Sequence, residues 1–222
     1  VMTDSRQDCS DALFIALKGE QFDGHAFLQN AVAAGAKALL AETGSAQLVP
    51  KDAPIPVMLV RDTTRAYQDL ARFHKKRFPA LKVVALTGSN GKTSTKEMLR
   101  SIFAAEHGDG AVLATEGNTN NHVGVPQNML RLTSAHKICI LEMGTNHHGE
   151  IEPLSATAEP DAAIITLIGN SHLEHFGGLD GVAREKSTIF SHMKKSGVAI
   201  IPEIGPEMKT VEKTASNFKT LR

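Results

Sequence analysis

A lysine followed by two hydroxyl residues, Lys92-Thr93-Ser94, closes the loop Gly88-Ser89-Asn90-Gly91 within the stretch VVALTGSNGKTSTKEMLRSIF (83–103). Gly88 and Gly91 let backbone N–H groups turn inward. A helix opening at about Lys92 adds partial positive charge, and the Lys92 ammonium reaches terminal phosphates. Thr93 supplies the hydroxyl expected on Mg²⁺. The strict pattern G-x-x-x-x-G-K-[ST] is not met, because Leu86 stands at its first glycine, and the loop is a shorter T-G-x-x-G-K-T form. With an apolar strand before it and a helix after it, the loop points to nucleotide binding.

Three further segments carry polar groups of the matching kind. KICILEMG (137–144) ends its apolar run on Glu142, and a carboxylate there needs a partner because burying it unpaired is costly. A Mg²⁺ ion shared with Thr93 and phosphates would be that partner, against the plainer reading of a solvated acid at a strand end. DAAIITLIGNSHLEHFG (161–177) places His172, Glu174 and His175 just past another apolar run. His172 is expected at the same sheet edge as the loop and Glu142, while Glu174 and His175 stay ambiguous. GNTNNHVGVP (117–126) is poor helix and strand material, but Asn118, Thr119, Asn120 and Asn121 suit a loop that hydrogen-bonds a polar ligand. An ordinary turn-rich connection is the alternative.

These residues need a scaffold that gathers them. From Lys82 onward the chain reads strand–loop–helix, with strands expected at 82–87, 111–115, 137–142, 161–168 and 197–202. Apolar strands separated by crossovers imply a mostly parallel sheet covered on both faces, whose ligands bind outside the carboxyl ends of its strands. Before it, strands are expected at 12–19, 38–41 and 56–62, with a helix from His25 to about Gly35. A second helix is expected over 63–78, its apolar residues Ala66, Leu70 and Phe73 at i, i+4, i+7. Pro79 ends that helix, so the division is read as 1–80 and 81–222. The tail 206–222 shows a weak helical pattern only.

Bulk composition excludes several classes. The 222 residues carry a formal net charge of zero, which gives no support for a nucleic-acid or acidic-membrane partner. No apolar run approaches the roughly 20 residues that span a bilayer, and the first residues lack a signal-peptide core. Two cysteines, Cys9 and Cys139, make no disulfide framework and read as reduced residues of a cytoplasmic protein.

T-G-x-N-G-K-T, G-N-T-N-N-H-x-G-x-P, E-M-G-T-N-H-x-G-E-I and S-H-L-E-H-F-G, in that order, resemble the Mur ligases of peptidoglycan synthesis, and most closely the branch that adds a D-alanyl-D-alanine dipeptide. TDSR (3–6) with the segment 12–40 is similar to that family's UDP-sugar-binding domain. The resemblance implies an α/β protein with a small N-terminal UDP-sugar-binding domain followed by a P-loop ATPase-type domain. It implies a monomer whose substrates are UDP-N-acetylmuramoyl-tripeptide and D-alanyl-D-alanine. ATP would phosphorylate the tripeptide carboxylate, and the dipeptide amine would displace phosphate from the acyl phosphate. Carried across, Lys92 and the loop 88–94 hold ATP, Thr93 and Glu142 serve a first Mg²⁺, and His172 matches the ligand of a second. Lys186, in VAREKSTIF (182–190), matches a lysine that the family carries as a carbamate, and by its own chemistry would pass for a surface residue. Ser5 and Arg6 match the uridine-nucleotide motif, with Lys18, Asp23 and His25 as weaker candidates.

The family has a third, C-terminal domain, and the chain stops at Arg222. It is therefore read as a truncated form that is not expected to complete ligation alone. The family branch that adds the third peptide residue is the nearest alternative, against which EMGTNHHGEI argues. A non-catalytic nucleotide- or UDP-sugar-binding module is the alternative from another class.

Overall fold

The computed structural model describes residues 1–19, 22–52, 54–170, 173–203, 205 and 207–222. The chain forms two units, Val1–Leu70 and Ala71–Arg222. Among the described residues no helix is long and apolar enough to cross a membrane.

The first unit is built on three parallel strands, β1 (Leu13–Ile15), β2 (Ala38–Glu42) and β3 (Val57–Val60), in that order across the sheet. Parallel neighbours need a crossover. A 3₁₀ turn at Gly24–Phe27 and helix α1 (Leu28–Ala33) provide the first, and Leu28 and Ala31 pack with Phe14 and Leu39 in the unit's core. The strand expected over 12–19 is shorter than its apolar run, because only Leu13–Ile15 pair with β2.

Helix α2 (Thr63–Lys75) starts in the first unit and ends in the second. The apolar spacing misjudges its face. Phe73 is 67% exposed, and the buried positions are Thr63, Tyr67, Gln68, Ala71 and Lys75. Polar side chains with backbone partners explain the difference. Thr63 Oγ1 donates to Ala16 O at 2.7 Å, and Lys75 Nζ donates to Ala158 O at 2.6 Å and Glu159 O at 3.0 Å.

The second unit is a six-stranded, all-parallel sheet in the order β5-β6-β4-β7-β8-β9. Its strands are β4 (Lys82–Thr87), β5 (Val112–Ala114), β6 (Ile138–Glu142), β7 (Ala162–Ile165), β8 (Val198–Ile200) and β9 (Lys219–Leu221). Side chains alternate between its faces. Val83, Ala85, Cys139 and Leu141 join one core, and Val84, Leu86, Ile138 and Ile140 the other, under Leu99 and Phe103 of α3 (Lys92–His107). The first face is covered by α4 (Gly124–Met129), α5 (Ile151–Ala158) and α7 (Leu179–Ser187), and the short α6 (Leu173–Phe176) packs on α7. The tail holds more order than its sequence pattern suggests: α8 (Met208–Ala215) leads into β9, which extends the sheet beyond β8.

Candidate active site

Because β4, β6 and β7 run parallel side by side, their carboxyl ends share one edge. At that edge Ser89–Ser94, Asn118, Asn120, Asn121, Glu142, Gly144–Asn146 and Glu150 line a cleft of about 460 Å³. Gly91, at φ 81°, makes the left-handed turn from which α3 departs, and it offers no side chain to cap that helix. A Cβ on Gly88 would lie 1.9 Å from Thr166 Oγ1, so only glycine lets the loop lie against the segment after β7. The fit is held by Thr166 Oγ1 donating to Asn90 O at 2.6 Å and by Ser89 Oγ, which donates to Gly169 O and accepts from Gly169 N, both at 3.0 Å. Lys92 Nζ bonds Gly88 O at 2.7 Å, folding the ammonium over the loop it belongs to.

Glu142 sits opposite the loop at the end of β6, 2% exposed. Its Oε2 accepts from Thr93 Oγ1 at 3.0 Å and its Oε1 from Asn120 Nδ2 at 2.9 Å, while its backbone N–H donates to Thr115 Oγ1. A hydroxyl and a carboxylate 3.0 Å apart, beside a phosphate-type loop, are the hard oxygen donors that Mg²⁺ takes together with phosphates and water. Among the described residues no three His, Cys, Asp or Glu side chains group to hold a metal by themselves. An ion here would therefore depend on its phosphate ligands. Asn118 and Asn120 are joined through Asn120 Nδ2, and Asn121 Oδ1 accepts from Val123 N and Gly124 N. Thr119 is not among the residues lining the cleft, and its O and Oγ1 accept from Asn128 Nδ2.

The opposite wall escapes sequence reasoning. Glu150 Oε2 accepts from Thr145 Oγ1, Asn146 N and His147 N at 3.0, 2.7 and 3.1 Å. Burial alone would raise the Glu150 carboxyl, but these bonds outweigh it and hold it below the ordinary carboxylate range. Glu185 of α7 reaches the start of α5 and accepts from three backbone N–H groups there. Next to it Lys186 is 3% exposed, with no hydrogen bond or ion pair to a described residue. Burial, and then the nearby charge of Lys92, lower its ammonium to about 8. Lys186 thus belongs to the interior and not to the surface that its sequence context suggests. Glu174 and His175 are exposed, and the His175 ring lies 4.7 Å from that of His147. His172 lies outside the described residues.

In the first unit Thr3, Asp4, Ser5, Arg6, Phe14, Phe22 and Phe27 line a separate, largely apolar cleft of about 400 Å³, with Phe22 and Phe27 stacked at 5.2 Å. Arg6 bonds Asp4 through Nε at 2.9 Å and a terminal nitrogen at 2.7 Å, drawing the Asp4 carboxyl down to about 2. Lys18 is exposed and pairs through its backbone with Asp23. Asp23 and His25 have a structural task. His25 is buried, Nδ1 meets Asp23 Oδ1 at 2.6 Å, and Nε2 accepts from Glu42 N at 2.9 Å, which fixes the Nδ1–H tautomer.

Comparison with known proteins places this geometry in a family. The Mur ligase middle domain matches residues 86–221, and the Mur ligase family catalytic domain matches residues 1–75. The chain is 44% identical, over 90% of its own length and 42% of the relative's, to the UDP-N-acetylmuramoyl-tripeptide–D-alanyl-D-alanine ligase of Escherichia coli K12. A crystal structure of MurF from Acinetobacter baumannii superposes with a TM-score of 0.90 at 40% identity, covering 99% of this chain and 47% of that one. The MurF ligase of Thermotoga maritima, solved in complex with ADP, superposes with a TM-score of 0.86 at 31% identity, covering 99% and 49%. The chain thus spans about half the length of the relatives it matches. A middle-domain match over more than half of the chain, on a parallel sheet that gathers Lys92, Thr93 and Glu142 at one edge, assigns this chain to the Mur ligase family.

Proposed function

We propose that this chain supplies the UDP-sugar-binding and ATP-binding parts of an ATP-dependent ligase of peptidoglycan precursor synthesis. The ligase joins D-alanyl-D-alanine to UDP-N-acetylmuramoyl-tripeptide. The observation that carries the reading is the Thr93–Glu142 pair, 3.0 Å apart beside the Lys92 loop, in a chain 44% identical to a ligase of that name. Residues 1–80 are assigned to the UDP-sugar, with Ser5 and Arg6 in its cleft and Lys18 at its periphery. Residues 81–222 are assigned to ATP, with Asn118, Asn120 and Asn121 meeting substrate and Thr119 holding their loop.

The γ-phosphoryl group of ATP passes to the terminal carboxylate of the tripeptide, giving ADP and an acyl phosphate. The amine of D-alanyl-D-alanine then attacks the acyl carbon. Its C–N bond forms as the C–O bond to phosphate breaks, the amine gives up a proton, and inorganic phosphate leaves. Two anions must meet before the first transfer, so positive charge carries most of the stabilisation. Lys92 exchanges Gly88 O for phosphate oxygens, and the backbone of residues 88–94 cradles the chain of phosphates. Thr93 and Glu142 would hold one Mg²⁺, with His172 and a carbamate on Lys186 at a second, and the ions would neutralise developing charge on phosphate and carboxylate oxygens. Only a neutral amine adds CO₂, and the lowered proton affinity of Lys186 favours that form. The protein is assigned to the cytoplasm as a monomer.

The test is phosphate release by a protein extended to the length of its relatives, supplied with ATP, Mg²⁺, UDP-N-acetylmuramoyl-tripeptide and D-alanyl-D-alanine. Release that falls to background when any one is omitted supports the reading. Release that is indifferent to the dipeptide overturns it. Turnover of a diamino acid with the UDP-linked dipeptide in its place would assign the chain to the branch that adds the third residue.

A further inference from the structure

Helix α5 begins without a cap of its own. Glu150, the residue before it, makes no side-chain bond to its first turn, because that carboxylate is spent on Thr145, Asn146 and His147. The open N–H groups are met from across the fold. Glu185 Oε2 accepts from Gly149 N at 2.7 Å, and Oε1 accepts from Glu150 N and Ile151 N, both at 3.0 Å. The carboxylate is 4% exposed, and Ile151 is fully buried. A buried anion with three backbone donors at a helix N-terminus is a strong, directional clamp. Its two jaws matter. One is the Thr145–Glu150 wall of the nucleotide cleft, and the other is α7, where the next residue is Lys186.

We propose that Glu185 is the positioning residue of this site, locking α7 to the start of α5 so that the Lys186 amine keeps a fixed place relative to the nucleotide cleft. The role of Lys186 rests on the function proposed above, whereas the clamp itself does not. Lys186 makes no hydrogen bond or ion pair to a described residue and is attracted only through space by the charge of Glu185 beside it, so its place depends on its helix being held. Lys75 and Lys96 are equally buried but are tied directly to carbonyl oxygens, Lys75 to Ala158 O and Lys96 to Thr115 O.

The experiment is lysine-reactivity footprinting of the 222-residue chain by reductive methylation and mass spectrometry, comparing Glu185→Ala and Glu185→Gln with the unsubstituted protein at about pH 10, where the Lys186 amine is neutral with or without the Glu185 charge and labelling reads access alone. Glu185→Ala removes three charged hydrogen bonds, and the loss of one alone makes local opening about tenfold easier, so Lys186 labelling should rise by at least roughly that factor in Glu185→Ala while Lys96 labelling stays put. Glu185→Gln, which keeps one acceptor oxygen, should fall between. Unchanged Lys186 labelling overturns the proposal. If Lys96 and Lys186 rise together in Glu185→Ala, the Gln variant decides: a rise confined to Lys186 supports the clamp, and no rise or a joint rise overturns it. In the protein extended to the length of its relatives, Glu185→Ala should lower kcat with the KM for ATP nearly unchanged, because the Lys92 loop does not rest on α7. A raised KM at unchanged kcat contradicts this. Full activity of Lys186→Ala would instead refute the role given to Lys186 and leave the labelling result to judge the clamp.

Discussion

Replacing Lys186 by methionine should stabilise the second unit at neutral pH and lose that effect in alkali. The side chain is 3% exposed and its ammonium is lowered from 10.5 to about 8, by burial first and by Lys92 second. At about 1.4 kcal/mol for each tenfold change in proton affinity, that difference is about 3 kcal/mol. The folded chain holds this proton less tightly than the unfolded one. Protonation therefore favours unfolding, the full penalty applies below about pH 8, and it disappears as the pH rises through 10.5. Methionine has similar length and no charge to bury. The advantage of Lys186→Met should therefore be about 3 kcal/mol larger at pH 7 than at pH 10.5, roughly 1–2 M in urea midpoint. The assay is urea unfolding followed by circular dichroism at both pH values, with a chelator present and CO₂ excluded. An advantage equal at the two pH values, or larger in alkali, would refute the reasoning. The same lowered affinity leaves about one Lys186 amine in four neutral at pH 7.5, against about one in a thousand for an ordinary lysine. A carbamate needs that population, so stability is given up where the proposed chemistry requires it.

Three more outcomes follow from the geometry. Lys92→Ala should abolish ATP binding in a calorimetric titration while UDP-N-acetylmuramoyl-tripeptide still binds, since the two clefts lie in different units. Loss of both with the circular dichroism spectrum intact would contradict that division. Gly88→Ala places a methyl group 1.9 Å from Thr166 Oγ1 and should cost about 1–3 kcal/mol in urea unfolding, with nucleotide affinity falling as the loop is displaced. Lys186→Ala should be nearly inactive in the protein extended to the length of its relatives. Acetate should restore part of the rate by supplying carboxylate oxygens, and an acetate-independent rate would count against the carbamate.

The parts of the fold that announce themselves in sequence are those whose signal is local. The run from Lys82 to Lys92 reads directly as strand, loop and helix, because apolar residues, glycines and the G-K-T junction sit in one continuous stretch. Glu142 was visible for a similar reason, as an acid at the end of an apolar run. Helix α2 misled, because its buried positions include Thr63, Gln68 and Lys75, and those of Thr63 and Lys75 are held by distant carbonyl groups that no periodicity encodes. Strand β9 was missed because Lys219–Leu221 is exposed along its length and owes its place to backbone pairing with β8. Glu185 was missed most completely. A glutamate on an amphipathic helix reads as solvated, and its three partners lie 34–36 residues away.

The claim at the centre of this account is that ATP is spent on making an acyl phosphate, and isotope transfer tests it most directly. UDP-N-acetylmuramoyl-tripeptide labelled with ¹⁸O in its terminal carboxylate is turned over with ATP and D-alanyl-D-alanine by the protein extended to the length of its relatives. The released phosphate is then analysed by mass spectrometry. Displacement of phosphate from an acyl phosphate carries one carboxylate oxygen away, so one ¹⁸O should appear in each phosphate formed. Phosphate released without ¹⁸O while the amide forms would contradict the account.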